Sequence, residues 1–445
     1  MSYQPAEKIK NSLNQLTNTK NSATENPLLN LLHKQFFNRR QELLVERTAW
    51  AKKNKPNLVL EQLDTTLQIR TSHWKTEAKA SGSDLQMIHT NTAFYSINQH
   101  AHVVSNSAIL DFEDGGIVSI TQNGLNLQGL KTEGRVFRVR GLSSDEKTIL
   151  IEGRTVPAPF LDLAMCFLSG IPRGFVIPKI ESALEARFWS DIFFEIEKHH
   201  QIPRGSLELC VEIETVRSVL ELHEILFELK ERVTSVRWDA RDYAFSLIKL
   251  FSTHPQFILP QILTPIDRDK AFFEIKNYIH QGALKRGLSF FAQEPSVQET
   301  NANTIPVYDQ GVDQGVGRYF IKFDESGSIN LMMIRDSILF CLGYLDYWLF
   351  SEQHAEYTKI LNQKDIADFE LTRSLLWHWH QKSILTHEMY TQLKDQWLTE
   401  TKGIGEAAAR LLDTLILNSS LAETSEPFVW SAYRKLQGAQ THGMS

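Results

Sequence analysis

Residues 203–251, PRGSLELCVEIETVRSVLELHEILFELKERVTSVRWDARDYAFSLIKLF, contain two short apolar runs, LELCVEIE (207–214) and SVRWDA (235–240). Each has the length and β-branched or aromatic content of a buried strand. Between them, VRSVLELHEILFELKERV carries apolar residues at intervals of three and four, the pattern of an amphipathic helix. Strand, helix and strand in that order predict a parallel βαβ unit.

The same alternation continues in both directions. SAILDFED, RVFRVRG and RGFVIPK precede the unit, and FILPQIL, LSFFAQ and RYFIKF follow it, giving eight strand candidates between about Ser107 and Phe323. ALEARFWSDIFFEIEKHH supplies a further helix. Eight such units predict an α/β fold, a (β/α)8 TIM barrel. Residues 1–26, rich in Asn, Lys, Ser and Thr, read as a flexible tail, and the apolar spacing from Pro27 to about Lys53 predicts a helix. After Phe323 the pattern is helical, without strand signals. The expected division is tail 1–26, N-terminal helical segment 27–90, barrel 91–330 and C-terminal helical domain 331–445. A polar stretch at 293–317 lies before the last strand candidate, and a connection of that length is usually functional or disordered.

Composition narrows the function. Hydrophobic residues make up 42% and charged residues 22% of the 445, with a formal net charge of -6. No basic stripe is visible, which argues against a nucleic-acid partner. Cys166, Cys210 and Cys341 are far apart with no CxxC pair, which excludes a cysteine zinc site and fits a reducing compartment. The most apolar stretch, 331–350, contains Arg335, Asp336 and Asp346. Each charge in mid-bilayer costs about 2.5–3.5 kcal/mol, so no membrane span is expected. The N-terminus lacks the apolar core of a signal peptide and THGMS is not a peroxisomal address, so a cytoplasmic location is expected.

Catalytic groups of a barrel lie where strands end. Those positions hold Asp111, Glu113 and Asp114; Arg138 and Arg140; Lys179 and Glu181; Glu212 and Glu214; and Asp239, Arg241 and Asp242. Carboxylates gathered on one face suit Mg2+, which takes one or two protein carboxylates and fills its octahedron with water and substrate oxygens. Other readings stand beside this one. Glu214 and Asp242 could be solvated carboxylates or ion pairs, and Arg138 could merely neutralise Asp111, Glu113 or Asp114. Glu212 and Asp239 read as barrel or salt-bridge residues. His378 and His380 are two apart, so on a helix they face different ways and read as surface or packing residues.

Segment 203–251, together with LDFED, FRVRGL, IPKIES, KRG and LGYLDYW…NQKDIADFELTRSLLWHW, resembles the malate synthase family, A-type, over most of the chain from about residue 30. The resemblance implies Mg2+-dependent condensation of acetyl-CoA with glyoxylate to give malate and CoA, an acyltransferase reaction of the glyoxylate cycle. It implies that Glu214 and Asp242 hold Mg2+, that Arg138 stabilises the enolate oxygen, and that Arg138, Arg241 and Asp242 meet substrate. Asp365, five residues before Glu370, corresponds to the base that takes the methyl proton; as a local signal it also reads as a helix N-cap. No residue is assigned to acetyl-CoA, and a monomer or small homo-oligomer is expected. Four segments depart from the family pattern, among them FEDGG in place of FEDS and Ala240 and Tyr243 flanking Arg241 and Asp242. LSFFAQEPS stands where a glycine-rich run is usual, and VGRYFIKFDES lacks a histidine-proline turn. These departures keep two alternatives open: a related CoA-thioester lyase or synthase using another 2-oxo acid, and a non-catalytic binding protein.

Overall fold

The computed structural model describes residues 24–55, 59–61, 64–78, 94–96, 109–113, 132–168, 170–255, 257–259, 262, 264–292, 318–320, 329, 331–350, 366–400, 405–422, 425, 428–429 and 431–432. The chain begins with α1 (Pro27–Asn54), β1 (Val59–Glu61) and the short α2 (Leu67–Thr71). Asn26 caps α1 by accepting the Leu29 N–H at 3.0 Å, and Pro27 takes the first turn, where its missing N–H leaves nothing unpaired. The expected tail falls outside the described residues up to position 23.

The middle of the chain runs through β2 (Phe94–Ser96), β3 (Ile109–Asp111), β4 (Val136–Arg138), β5 (Asp145–Ile151), β6 (Arg154–Pro157) and α3 (Ala158–Cys166). It continues through β7 (Gly174–Ile177), α4 (Ala183–His199), β8 (Glu208–Glu212), α5 (Val216–Leu220), α6 (Leu222–Glu228), β9 (Val233–Trp238) and α7 (Ala240–Phe251). Then come α8 (Pro265–Ala271), α9 (Phe273–Lys285), β10 (Ser289–Ala292) and β11 (Arg318–Phe320). The last described helices are α10 (Leu331–Phe350), α11 (Ile366–Gln381), α12 (His387–Glu400) and α13 (Glu406–Ile416). No described helix is long and apolar enough to cross a membrane.

Seven strands pair in the order β10-β9-β8-β7-β4-β3-β2, all parallel. All their C-terminal ends therefore lie on one side. This parallel α/β sheet is consistent with a TIM-barrel domain. Alternation with a period of two sorts its side chains. Leu110, Phe137, Phe175, Leu209 and Val211 join the main apolar core that the helices cover. Ile109, Val136, Val176 and Cys210 form a small apolar layer on the opposite face. Two residues further along, that second face carries Asp111, Arg138 and Glu212, all buried.

Among the described residues, six of the eight strands expected from sequence belong to this sheet, and two do not. RYFIKF supplies β11, which instead pairs antiparallel with β1, Phe320 opposite Val59. In FILPQIL, Phe257, Ile258 and Leu259 form no strand. Their backbone is held by side chains of α11: the Leu259 N–H donates to His378 Nε2 at 3.2 Å, and Trp379 Nε1–H donates to the Leu259 carbonyl at 3.1 Å. Groups committed to a helix are no longer available to a neighbouring strand. The helix expected between the runs of segment 203–251 is divided at Glu221 into α5 and α6. Strand β2 and the hairpin β5–β6 carry no sequence signal used above.

His378 is thus a packing residue, fully buried, and burial pushes its imidazole down to about 4, with Lys382 adding to the shift. Its folded pKa lies below the ordinary 6.5, so between those values the unfolded chain binds a proton that the native state does not. The contribution of neutral His378 is therefore complete above pH 6.5 and lost as pH falls toward 4. Unfolding free energy should decline there by about 1.4 kcal/mol per pH unit from this group. His378→Gln, whose amide oxygen can still accept from Leu259, should remove one proton from the slope of urea-measured stability against pH. An identical slope in both proteins would rule out His378 as the source.

Candidate functional site

The parallel register places an ionic layer just below the strand ends. Arg138 stands beside Asp111, and Glu212 beside Arg237. Glu212, fully buried, accepts from Arg138 Nε at 2.8 Å and from Arg237 Nη1 at 2.6 Å. Arg138 also lies 2.8 Å from Glu113 and 3.5 Å from Asp111. Arg138 is therefore paired with Asp111 and Glu113, as its simpler reading held, and with Glu212 as well. Asp114 lies outside the described residues.

Above this layer three acidic residues converge. Glu214 follows β8 and is fully buried. Its Oε1 accepts the Lys179 N–H at 2.6 Å, while its Oε2 is buried without a hydrogen-bond partner. Asp239 caps α7, and Asp242 occupies the first turn of that helix. One carboxylate oxygen each from Glu214, Asp239 and Asp242 lie within 4.8 Å of one another. Burial, with Glu212 and Asp242 adding to it, pushes the Glu214 carboxyl well above the usual carboxylate range, against the pull of Lys179 and Arg138. An unsatisfied buried oxygen amid like charges is costly unless a proton or a cation compensates it. This acidic triad could hold a metal, and its all-oxygen donor set fits Mg2+.

The cations around the triad are fixed too. Arg241 meets both Asp239 oxygens, Nε at 3.1 Å and Nη2 at 2.7 Å, and reaches Asp368 Oδ2 on α11 at 3.1 Å. Lys179 Nζ pairs with Glu113 and lies 3.3 Å from Asp242 Oδ2. Arg140 points elsewhere, to Asp162 and Glu146, and Glu181 meets Arg47 at 3.4 Å.

Of the residues selected from sequence, Glu214, Asp242, Arg138 and Arg241 thus lie together at the strand ends. Asp365 falls outside the described residues, one position before α11 begins. Asp239 was read only as a barrel or salt-bridge residue; it does form that salt bridge, and it also belongs to the triad. Its spacing of three from Asp242 at a helix start was the available signal, since i and i+3 share a face. The bridging place of Lys179 has no comparable signature.

A family model described as malate synthase, TIM barrel domain, matches residues 135–286. The glyoxysomal malate synthase of Candida tropicalis is 31% identical over 267 residues, 52% of this chain and 48% of that protein. Malate synthase A of Escherichia coli K12 is 30% identical over 206 residues, 43% of this chain and 38% of that protein. The chain thus spans about half, or less, of the length of the curated relatives it matches. A solved Haloferax volcanii malate synthase with magnesium and glyoxylate is 12% identical, with 71% of this chain and 96% of that chain covered at a TM-score of 0.34. At that score the likeness bears no weight for function.

Calorimetric titration with Mg2+ or Mn2+ should show a site that Glu214→Ala and Asp242→Ala each weaken. The loss should exceed the roughly 10–100-fold typical of changes to outer-shell partners. Unchanged affinity in either variant would remove that residue from the ligand set.

Proposed function

Because the chain is a divergent member of the malate synthase family, we propose that it catalyses a Mg2+-dependent Claisen condensation of acetyl-CoA with glyoxylate, consuming water and releasing malate and CoA. The observation that carries this reading is the triad with its unpartnered Glu214 Oε2, placed at the strand ends of a parallel sheet. In that reading the seven parallel strands are part of a (β/α)8 barrel spanning 91–330. Residues 331–445 are a helical domain over its mouth, with 27–90 as an N-terminal helical segment. The Arg241–Asp368 ion pair supports that placement, because it joins the first turn of α7 to α11.

Glu214 and Asp242 hold the metal, with Asp239 beside them. Bound there, Mg2+ supplies Lewis-acid polarisation of the glyoxylate aldehyde. Asp365 takes a proton from the methyl group of acetyl-CoA, as a general base must be placed to do. Arg138, a fixed positive charge in a dry setting, stabilises the enolate oxygen that develops. The methyl carbon then bonds to the aldehyde carbon, and hydrolysis of the thioester releases malate and free thiol. Arg241 and Asp242 orient glyoxylate. The helices after residue 331 keep water from the enolate until the carbon–carbon bond has formed.

Purified protein supplied with acetyl-CoA and Mg2+ should release free CoA thiol only when glyoxylate is added. A chelator should abolish the release, and Asp365→Asn should lower it by about 100-fold or more while leaving metal binding intact. Full turnover in Asp365→Asn would place the base elsewhere. No release from the wild-type protein, with Mg2+-dependent glyoxylate binding retained, would redirect the reading to another acyl donor or a lyase.

A further inference from the structure

Lys179 lies two positions beyond the end of β7 with φ +51, the left-handed region that side chains seldom occupy outside glycine and asparagine. Both of its backbone polar groups are engaged. The N–H donates to Glu214 Oε1 at 2.6 Å, and the carbonyl accepts from Arg47 Nη2 of α1 at 2.9 Å. Its ammonium pairs with Glu113 and lies 3.3 Å from Asp242 Oδ2. One residue therefore touches Glu214 through its backbone and Asp242 through its side chain.

We propose that Lys179 is a positioning residue whose ammonium serves as the resident counter-cation of the metal site, competing with Mg2+ for Asp242 and so setting the affinity for the metal. The inference rests on the metal reading of Glu214 and Asp242. The local charges support it. Asp111, Glu113, Glu212, Glu214, Asp239, Asp242 and Asp368 face Arg138, Lys179, Arg237 and Arg241, seven carboxyl groups against four cations. A divalent ion offsets that acidic excess, but it must share Asp242 with an ammonium already there. Two cations on one buried carboxylate repel each other more strongly than they would in water. The backbone contact acts in the opposite sense. By holding Oε1, the Lys179 N–H leaves Glu214 Oε2 as the oxygen without a partner. Removing only the ammonium therefore separates competition from positioning.

The test is calorimetric titration of the whole chain with Mg2+ and with Mn2+. Lys179→Met and Lys179→Gly should each bind metal about tenfold or more tightly than wild type, because a neutral residue no longer competes. Lys179→Arg should stay near wild type. A merely structural role would weaken binding in the neutral variants, not strengthen it. Should the Met variant fail to fold, the Gly variant decides, since glycine adopts φ +51 without strain and keeps the N–H to Glu214. Unchanged or weaker affinity in the neutral variants overturns the role of Lys179 and leaves the metal reading in place. A wild-type protein that binds neither ion overturns both.

Discussion

Glu212 has no exposure to water, and the geometry of the strand ends depends on how its carboxyl group is held. A carboxylate moved from water into a protein interior loses several kcal/mol even after relaxation, so it persists only where donors replace the lost hydration. Here Arg138 on β4 and Arg237 on β9 each take one oxygen of a glutamate on β8. Taking away one partner of such a group usually costs about 3–5 kcal/mol, because the remaining charge is left buried alone. The arrangement ties three strands at one height. It thereby sets the height of Glu214, two residues further along, and of Asp239, the residue that follows β9.

Helices that precede and follow the sheet in sequence are tied to residues around its strand ends. From α1, Arg47 holds the Lys179 carbonyl and both oxygens of Glu185, and Arg40 holds the carbonyls of Leu142 and Ser144 at 2.7 and 3.1 Å. From α11, Asp368 reaches Arg241, while His378 and Trp379 hold the segment at Leu259. Helices outside the sheet thus act on the strand ends through directed hydrogen bonds to backbone and carboxylate. That is a firmer attachment than apolar contact, which has no preferred angle.

Much of this was legible in the residues. Runs such as LELCVEIE and SVRWDA announce buried strands, and carboxylates immediately after them announce the acidic face, because a strand's direction determines where its next residue goes. FILPQIL misled for a physical reason: composition reports that a segment is apolar, but not that its backbone partners are a histidine and a tryptophan 119 and 120 residues away. RYFIKF was legible as a strand but not as the partner of β1, since pairing between distant segments leaves no local pattern. Asp239 and Lys179 depend on backbone angles and on distances of a few ångströms, which spacing alone does not encode. The helix after residue 366 was expected, yet its tie to Arg241 emerges only once the fold brings residues 241 and 368 together.

The described strands of the sheet are unequal. β4 has three residues with described loop residues on both sides, whereas β8 and β9 have five and six. A longer strand shares more backbone hydrogen bonds with its neighbours and resists local displacement accordingly. Glu214 and the start of α7 extend from that longer pair, so the carboxylates stand on the stiffer part of the frame, like a lathe's chuck on its bed. Substitutions elsewhere around the strand ends can reshape whatever faces those oxygens without displacing them, so such a scaffold can exchange one guest for another and keep its acidic anchor.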